Sequence, residues 1–349
     1  FPAESDILPI IDTLIFLPIK DVKKALDEMQ PSMLKALGLT EENNLVINRS
    51  AISQHVDDFY KTDCNQAITE LYQWSVWGNF SADFLRQEGQ TENIGYSADT
   101  FGVTSGIDGH VGTNLLLGAA LAYDYSWLDW SNSRGHGTIS SVYLGPYFTW
   151  FNKRVFTNAS LLGSFNQYEA SRHIMFPTVD VHAKNNHFGY GFIGHFDLGV
   201  LLYPTAGMTC SPIVGLDYIH TWEQSYTEHG APGLNMKIFS THASLFRTEL
   251  GLEIAKCAIL VHNKWTHDLK LSWIHQFPIA GRNLHAQFAE IDCTYTVQGL
   301  QPNQDYLDIA TGLTGIFMKD RLSAALRYEG KFGDGIRDNT AYAQITYRF

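Results

Sequence analysis

Charged side chains recur at every second position in two stretches of a chain that carries few charges. Arg247 and Glu249 share one face of a strand-like run, and Arg327, Glu329 and Lys331 share one face of another. Asp83 and Asp124 fall in two further runs. Charges gathered on one surface can form a ladder of ion pairs that cradles a second segment, or they can line a hydrated wall; the sequence leaves both open. Cys210 opens one run and Cys257 ends the next, so an antiparallel pairing brings them together and makes them a candidate disulfide. Cys64 and Cys293 complete a set of four with no metal spacing, and the fourteen histidines show none either, His262 and His267 being five apart near a short turn. No metal or cofactor is expected. A Gly-x-Ser-x-Gly motif is missing, as is a convincing Ser/His/Asp set, so no hydrolase is expected in this chain.

The elements that must position these charges are strands. In the last stretch Leu322, Ala324, Leu326 and Tyr328 alternate with Ser323, Ala325, Arg327, Glu329 and Lys331. After the turn Phe332-Gly333-Asp334-Gly335, Ala341, Ala343, Ile345, Tyr347 and Phe349 alternate with Tyr342, Gln344, Thr346 and Arg348. Period-two alternation of this length is a strand signal. Twelve such runs are expected: 72–85, 97–108, 114–127, 138–151, 154–168, 188–203, 209–222, 238–255, 265–277, 304–317, 321–332 and 338–349. Most exceed the usual soluble strand of about 5–6 residues and suit a tilted bilayer span of about 9–11.

Connections after even-numbered runs are mostly short, as at Asn152-Lys153. Those after odd-numbered runs are mostly long, as at Arg86–Tyr96, Glu169–His187, Glu223–Lys237 and Pro278–Asn303. The eighth (256–264) and eleventh (333–337) break this order. Sorted loops point to an outer-membrane barrel, with Leu115, Leu117, Ala119, Leu121, Tyr123 and Tyr125 facing lipid and Leu116, Gly118, Ala120, Ala122, Asp124 and Ser126 facing the lumen. The 349 residues are 17% charged and 13% aromatic, and the net charge of −12 argues against nucleic acid as a partner. Residues 7–19 are too short and too broken by Asp12, Pro9 and Pro18 for a spanning helix. The chain starts with Phe1 and is expected to be the C-terminal part of a longer precursor.

Two domains are expected: a helical leader, 1–65, and a barrel, 66–349. In the leader a helix is expected over 21–29, a second from Pro31 to Leu37 stopped by Gly38, and a third from Thr40 to about Tyr60. The third is polar on most sides and needs a polar socket, which a barrel lumen supplies.

Several segments together resemble the autotransporter β-domain, the translocator of type V secretion. They are Leu17-Pro18 with Lys24 to Met29, Trp77-Gly78 with Gly95 to Thr100, Asn114 to Tyr123, Arg247 to Gly251, Tyr328 to Gly333, and Tyr347-Arg348-Phe349. The resemblance implies a twelve-stranded outer-membrane barrel of a Gram-negative cell, with a helix through its pore. It also implies an upstream passenger sent to the cell surface. The terminal row Phe349, Tyr347 and Ile345 matches the signal that the family presents to the barrel-assembly machinery, and periplasmic chaperones are implied partners. Asn43-Asn44 resembles the self-cleavage site of one subgroup, in which an Asn amide attacks its own carbonyl beside an acid. Asp83, Asp124, Glu249 or Glu329 could be that acid, while a plain polar helical turn is the alternative. A general porin and an outer-membrane hydrolase are the competing functions. The lumenal ladder would cradle the helix and guide the passenger.

Overall fold

The computed structural model describes residues 6–61, 73–89, 93–260, 263–281, 283–299 and 305–349. Its barrel strands are β1 Trp74–Gln87, β2 Tyr96–Val111, β3 Leu115–Trp130 and β4 Gly135–Phe151. They continue as β5 Val155–Phe176, β6 Val179–Val200, β7 Met208–Glu223 and β8 Thr241–Leu260. The circuit ends with β9 Asn263–Ala280, β10 Asp305–Phe317, β11 Leu322–Gly333 and β12 Ile336–Arg348. Each pairs antiparallel with the next, and β12 pairs back onto β1 from Ser75↔Arg348 to Gln87↔Ile336. Closure leaves no backbone edge unpaired, the condition for a sheet to sit in hydrocarbon.

The alternation read in the sequence is the alternation between lipid and lumen. Leu326 is 65% exposed, and Leu121 and Leu250 are each 52% exposed, all pointing out of the ring. Asp83, Asp124, Arg247, Glu249, Glu329 and Lys331 are buried inside it. Outward aromatics gather towards both rims, Trp74, Trp150 and Tyr347 at one, Trp127, Trp222 and Phe84 at the other. This is the girdle pattern of outer-membrane barrels. Leu121 lies near the middle of β3, so Leu121→Arg is expected to cost about 2–4 kcal/mol. The temperature at which the barrel loses its folded mobility on a gel should fall accordingly; an unchanged value would take Leu121 off the lipid face.

One rim carries short turns, with Gly112 at φ +72° between β2 and β3. The other carries longer excursions. Segments 226–227, 236–238, 283–288 and 295–298, from the two longest loops, pair there into a small four-stranded sheet. The expected long loop Glu169–His187 is a different object. β5 and β6 run through it as paired strands of 22 residues each and turn at 177–178, so they stand up from the rim as an arm. The eighth connection contracts to residues 261–262 because β8 and β9 are longer than expected.

The leader forms α1 Leu8–Phe16, α2 Ile19–Met29, a 3-10 turn Ser32–Leu34, and α3 Lys35–Lys61. Leu17 and Gln30 are extended, each because a proline follows. Gly38 does not stop a helix as expected; it lies within α3. Its missing side chain makes room for the Glu223 carboxylate, 2.8 Å from where a Cβ would stand. Packing of Leu34 and Leu37 against Leu128, Trp130 and Ile139 overrides the local propensity.

The expected Cys210–Cys257 bridge is not formed. Cys210 has a free thiol, and Cys257 is disulfide-bonded elsewhere. Parity explains this. Cys210 is opposite Ile254, on the outward row of β7, whereas Cys257 is buried on the inward row of β8. Cys64 and His262 lie outside the described residues, and Cys293 is a free, exposed thiol.

Candidate functional site

α3 runs through the lumen from the long-loop rim, where Leu37 meets Gly137, to the short-turn rim, where Asp58 meets Ser323. Twenty-seven helical residues span about 40 Å, enough for the whole barrel. Polar residues at 41, 44, 48 and 55 repeat at helical spacing and form one stripe. The wall answers with small hydroxyl residues. Glu41 accepts from Ser164 Oγ at 2.8 Å, Tyr143 OH at 3.1 Å and Ser141 Oγ at 3.2 Å. Asn44 Nδ2 donates to Ser126 Oγ at 2.9 Å, and Thr100 Oγ1 donates to Asn44 Oδ1 at 3.3 Å. Asn48 Nδ2 donates to Asp124 Oδ2 at 2.5 Å, while Thr104 Oγ1 donates to Asn48 Oδ1 at 2.7 Å.

Towards the short-turn rim His55 lies 2.6 Å from Asp108 and stacks on Trp77 at 4.6 Å. Tyr147 OH donates to the same Asp108 oxygen at 2.5 Å, Trp77 Nε1 donates to Tyr147 OH at 2.7 Å, and Ser75 also bonds Asp108. Fully buried polar groups are thus paired across the helix–wall interface, which fixes the helix in one register.

The remaining lumenal charges divide into two kinds. Some touch α3. Asn43 Nδ2 donates to Asp83 Oδ2 at 3.2 Å, and Arg49 reaches Asp217 at 3.4 Å. Asp217 also holds His195 at 2.7 Å and Arg247 at 3.5 Å. Others pair within the wall: Glu249 with Lys270 at 2.5 Å, Arg327 with Asp268 at 2.9 Å, and Lys331 with Asp338 at 3.0 Å and Glu329 at 3.5 Å. Of the four expected acids, Asp83 is therefore the one bonded to Asn43, and Asp338 also lies beside it. Asp124 serves Asn48 instead, and Glu249 and Glu329 have basic neighbours in the wall.

At the long-loop rim two arginines fasten the leader. Arg172 Nη1 donates to the Met29 carbonyl at 2.9 Å, and its Nε and Nη2 make a two-pronged pair with Glu228 at 3.1 and 2.6 Å. Arg134 Nη2 donates to the Asp27 and Glu28 carbonyls at 2.7 and 3.0 Å. These are last-turn carbonyls of α2, which has no basic residue of its own there. Above them the small sheet turns an apolar face inward, with Met236, Ile238, Leu284 and Ala286 buried; Tyr295 OH donates to Met236 Sδ, and burial pushes its phenol up to about 12.

Sequence reasoning missed Asn48, His55, Arg49, Asp108 and Asp217 as docking residues. The helical spacing 41-44-48-55, read against inward Thr and Ser on β2 to β5, was the available signal. Ile345, Tyr347 and Phe349 form an outward row on the closing edge, and Phe349 and Trp74 exchange backbone hydrogen bonds at 2.9 and 3.2 Å.

The family model described as Autotransporter beta-domain matches residues 76–329. A curated relative, Outer membrane protein B of Rickettsia typhi, is 22% identical over 57% of this chain, and the chain spans 12% of that protein's length. The fold is similar to the translocator domain of autotransporter NalP from Neisseria meningitidis, with TM-score 0.69 and 17% identity over 92% of this chain and 100% of that one. It is also similar to the β-domain of the Bordetella autotransporter BrkA, with TM-score 0.60 and 16% identity over 79% and 100%. The transport unit of AIDA-I from Escherichia coli aligns with TM-score 0.54 and 14% identity over 86% and 99%.

Proposed function

The chain belongs to the autotransporter β-domain family, and from that membership we propose how its parts divide the work. The barrel is an outer-membrane translocator. A passenger ahead of the leader is carried through the lumen to the cell surface, and α3 is the tether left in the pore. The observation that carries this reading is a buried polar helix bonded to the wall at successive levels inside a closed ring. A plain porin has no use for such a fit. The outward row Ile345, Tyr347 and Phe349 is the segment offered to the barrel-assembly machinery, and periplasmic chaperones hold the chain before insertion. Planar-bilayer recording tests the tether. Removal of residues 1–61 is expected to raise conductance several-fold over the intact chain; equal conductance would favour the porin.

One contact favours a second reading, single-turnover release of the passenger. Asn43 Nδ2 would attack the Asn43 carbonyl carbon, Asp83 would take the Nδ2 proton and pass it to the Asn44 nitrogen, and the Asn43–Asn44 peptide bond would break, leaving a free amine on Asn44 and a succinimide on the released segment. The hydrogen bond from Asn43 Nδ2 to Asp83 Oδ2, at 3.2 Å, supports this reading. Mass spectrometry of outer membranes is expected to find a barrel beginning at Asn44, lost in Asp83→Asn. Residues upstream of Asn44 retained on every barrel would end this reading. No repeated-turnover catalysis is proposed.

A further inference from the structure

Two imidazoles and a carboxylate meet near the tip of the β5–β6 arm. His173 and His182 are directly opposed in the strand register. Their rings stack with centroids 4.5 Å apart and 6° between planes. Asp180 precedes His182 by two positions, so it stands on the same face. The ligand atoms of the three lie within 4.8 Å of one another.

Hydrogen bonding fixes one of these rings. His173 Nδ1 lies 3.0 Å from the Ser133 carbonyl oxygen, which can only accept, so Nδ1 carries the hydrogen. In the neutral ring Nε2 is then a bare lone pair, and it faces Asp180 Oδ1 at 2.9 Å. Two acceptors at that distance need a positive species to join them. A proton on His173 would serve this pair but give the stacked His182 no part. A metal ion would use all three groups, with the exposed His182 ring turning out of the stack so that both imidazole lone pairs meet it. A backbone carbonyl holding the far N–H is also how metal-binding imidazoles are commonly oriented.

We propose that His173, His182 and Asp180 form a binding site for a late first-row divalent cation, with zinc as the reference ion. Two imidazole nitrogens and one carboxylate oxygen suit such an ion, and the open face of the arm admits water as a fourth ligand. Calcium and magnesium, which take oxygen ligands, are disfavoured. The bound ion cross-links β5 to β6. Ile174 and Ala183, next to the two histidines in the chain but facing the other way, pack with Phe176 against Ile10, Ala25 and Met29 of the leader. The ion therefore stiffens the ledge on which the leader rests.

Calorimetric titration of Zn²⁺ into the untagged full chain, folded in detergent, tests the site. One saturable site is expected. Loss of a ligand in H173A or H182A should weaken it by more than the about 10- to 100-fold that removal of a merely orienting group costs. H285A, on the separate rim sheet, should bind as the parent does. Co²⁺ should give visible bands of a nitrogen-ligated, four-coordinate ion that vanish in H182A. Folding of each variant is checked by its heat-modifiable gel mobility. Failure to saturate, or an isotherm unchanged in the H173A/H182A double variant, overturns the proposal, since the zinc would then be absent or held adventitiously by other histidines.

Discussion

Arg172→Ala is expected to cost about 3–5 kcal/mol and to loosen the leader from the rim, because it strands a buried charge. Arg172 and Glu228 both have side chains with no solvent exposure. Without the guanidinium, Glu228 keeps, among the described residues, the Met236 N–H at 3.0 Å. The Met29 and Leu234 carbonyls lose a donor as well. Limited proteolysis within residues 6–34 and the thermal loss of folded gel mobility measure the effect. Arg172→Met combined with Glu228→Leu separates the charge from the cap. The pair then leaves no buried ion, and the remaining loss should be about 0.5–1.5 kcal/mol per missing hydrogen bond. A single Arg172→Ala change within about 0.5 kcal/mol, as for an ordinary surface site, would show that the leader is held by apolar packing alone.

Asp217 gives the second large effect, and it is asymmetric. One carboxylate faces Arg49 of the helix and Arg247 and His195 of the wall. Asp217→Leu leaves two arginines facing each other beside a histidine, with a penalty approaching about 3–5 kcal/mol where water cannot enter. Arg49→Met leaves Asp217 still paired twice, so its loss should be near the about 1 kcal/mol of one ordinary bond. Helix docking, followed by thiol labelling of a cysteine placed on α3 and by channel conductance, should therefore fail in Asp217→Leu and survive in Arg49→Met. The reverse order would remove the Asp217 cluster from any part in holding the helix.

The transmembrane wall was legible because lipid and lumen impose opposite demands on adjacent residues. Rows such as Leu250-Leu252-Ile254 against Arg247-Glu249-Glu253 admit one register. The arm was not legible, since above the bilayer that contrast lapses. Around Glu169–His187 polar residues take the outer face, and the apolar row Ile174, Phe176, Val181 and Ala183 serves the leader rather than lipid. Gly38 misled through local propensity, which tertiary packing overrode. The cysteines misled through parity: strand ends were placed well enough, but one step decides which face a thiol takes. The helix socket could have been found from the spacing of Glu41, Asn44, Asn48 and His55. The Arg172–Glu228 pair, 56 positions apart on unrelated elements, leaves no periodic trace at all.

The join between β12 and β1 has a bearing on how the molecule is made. Its partners, such as Ser75 and Arg348, lie at opposite ends of the barrel sequence, so this ladder closes the longest loop and is expected to form last. Until then the sheet would be an open gutter, and α3, which precedes β1 in the chain, could be laid in sideways. Assembly of this kind spares His55 and its neighbours from being drawn lengthwise past Trp77 and Tyr147 through a finished ring.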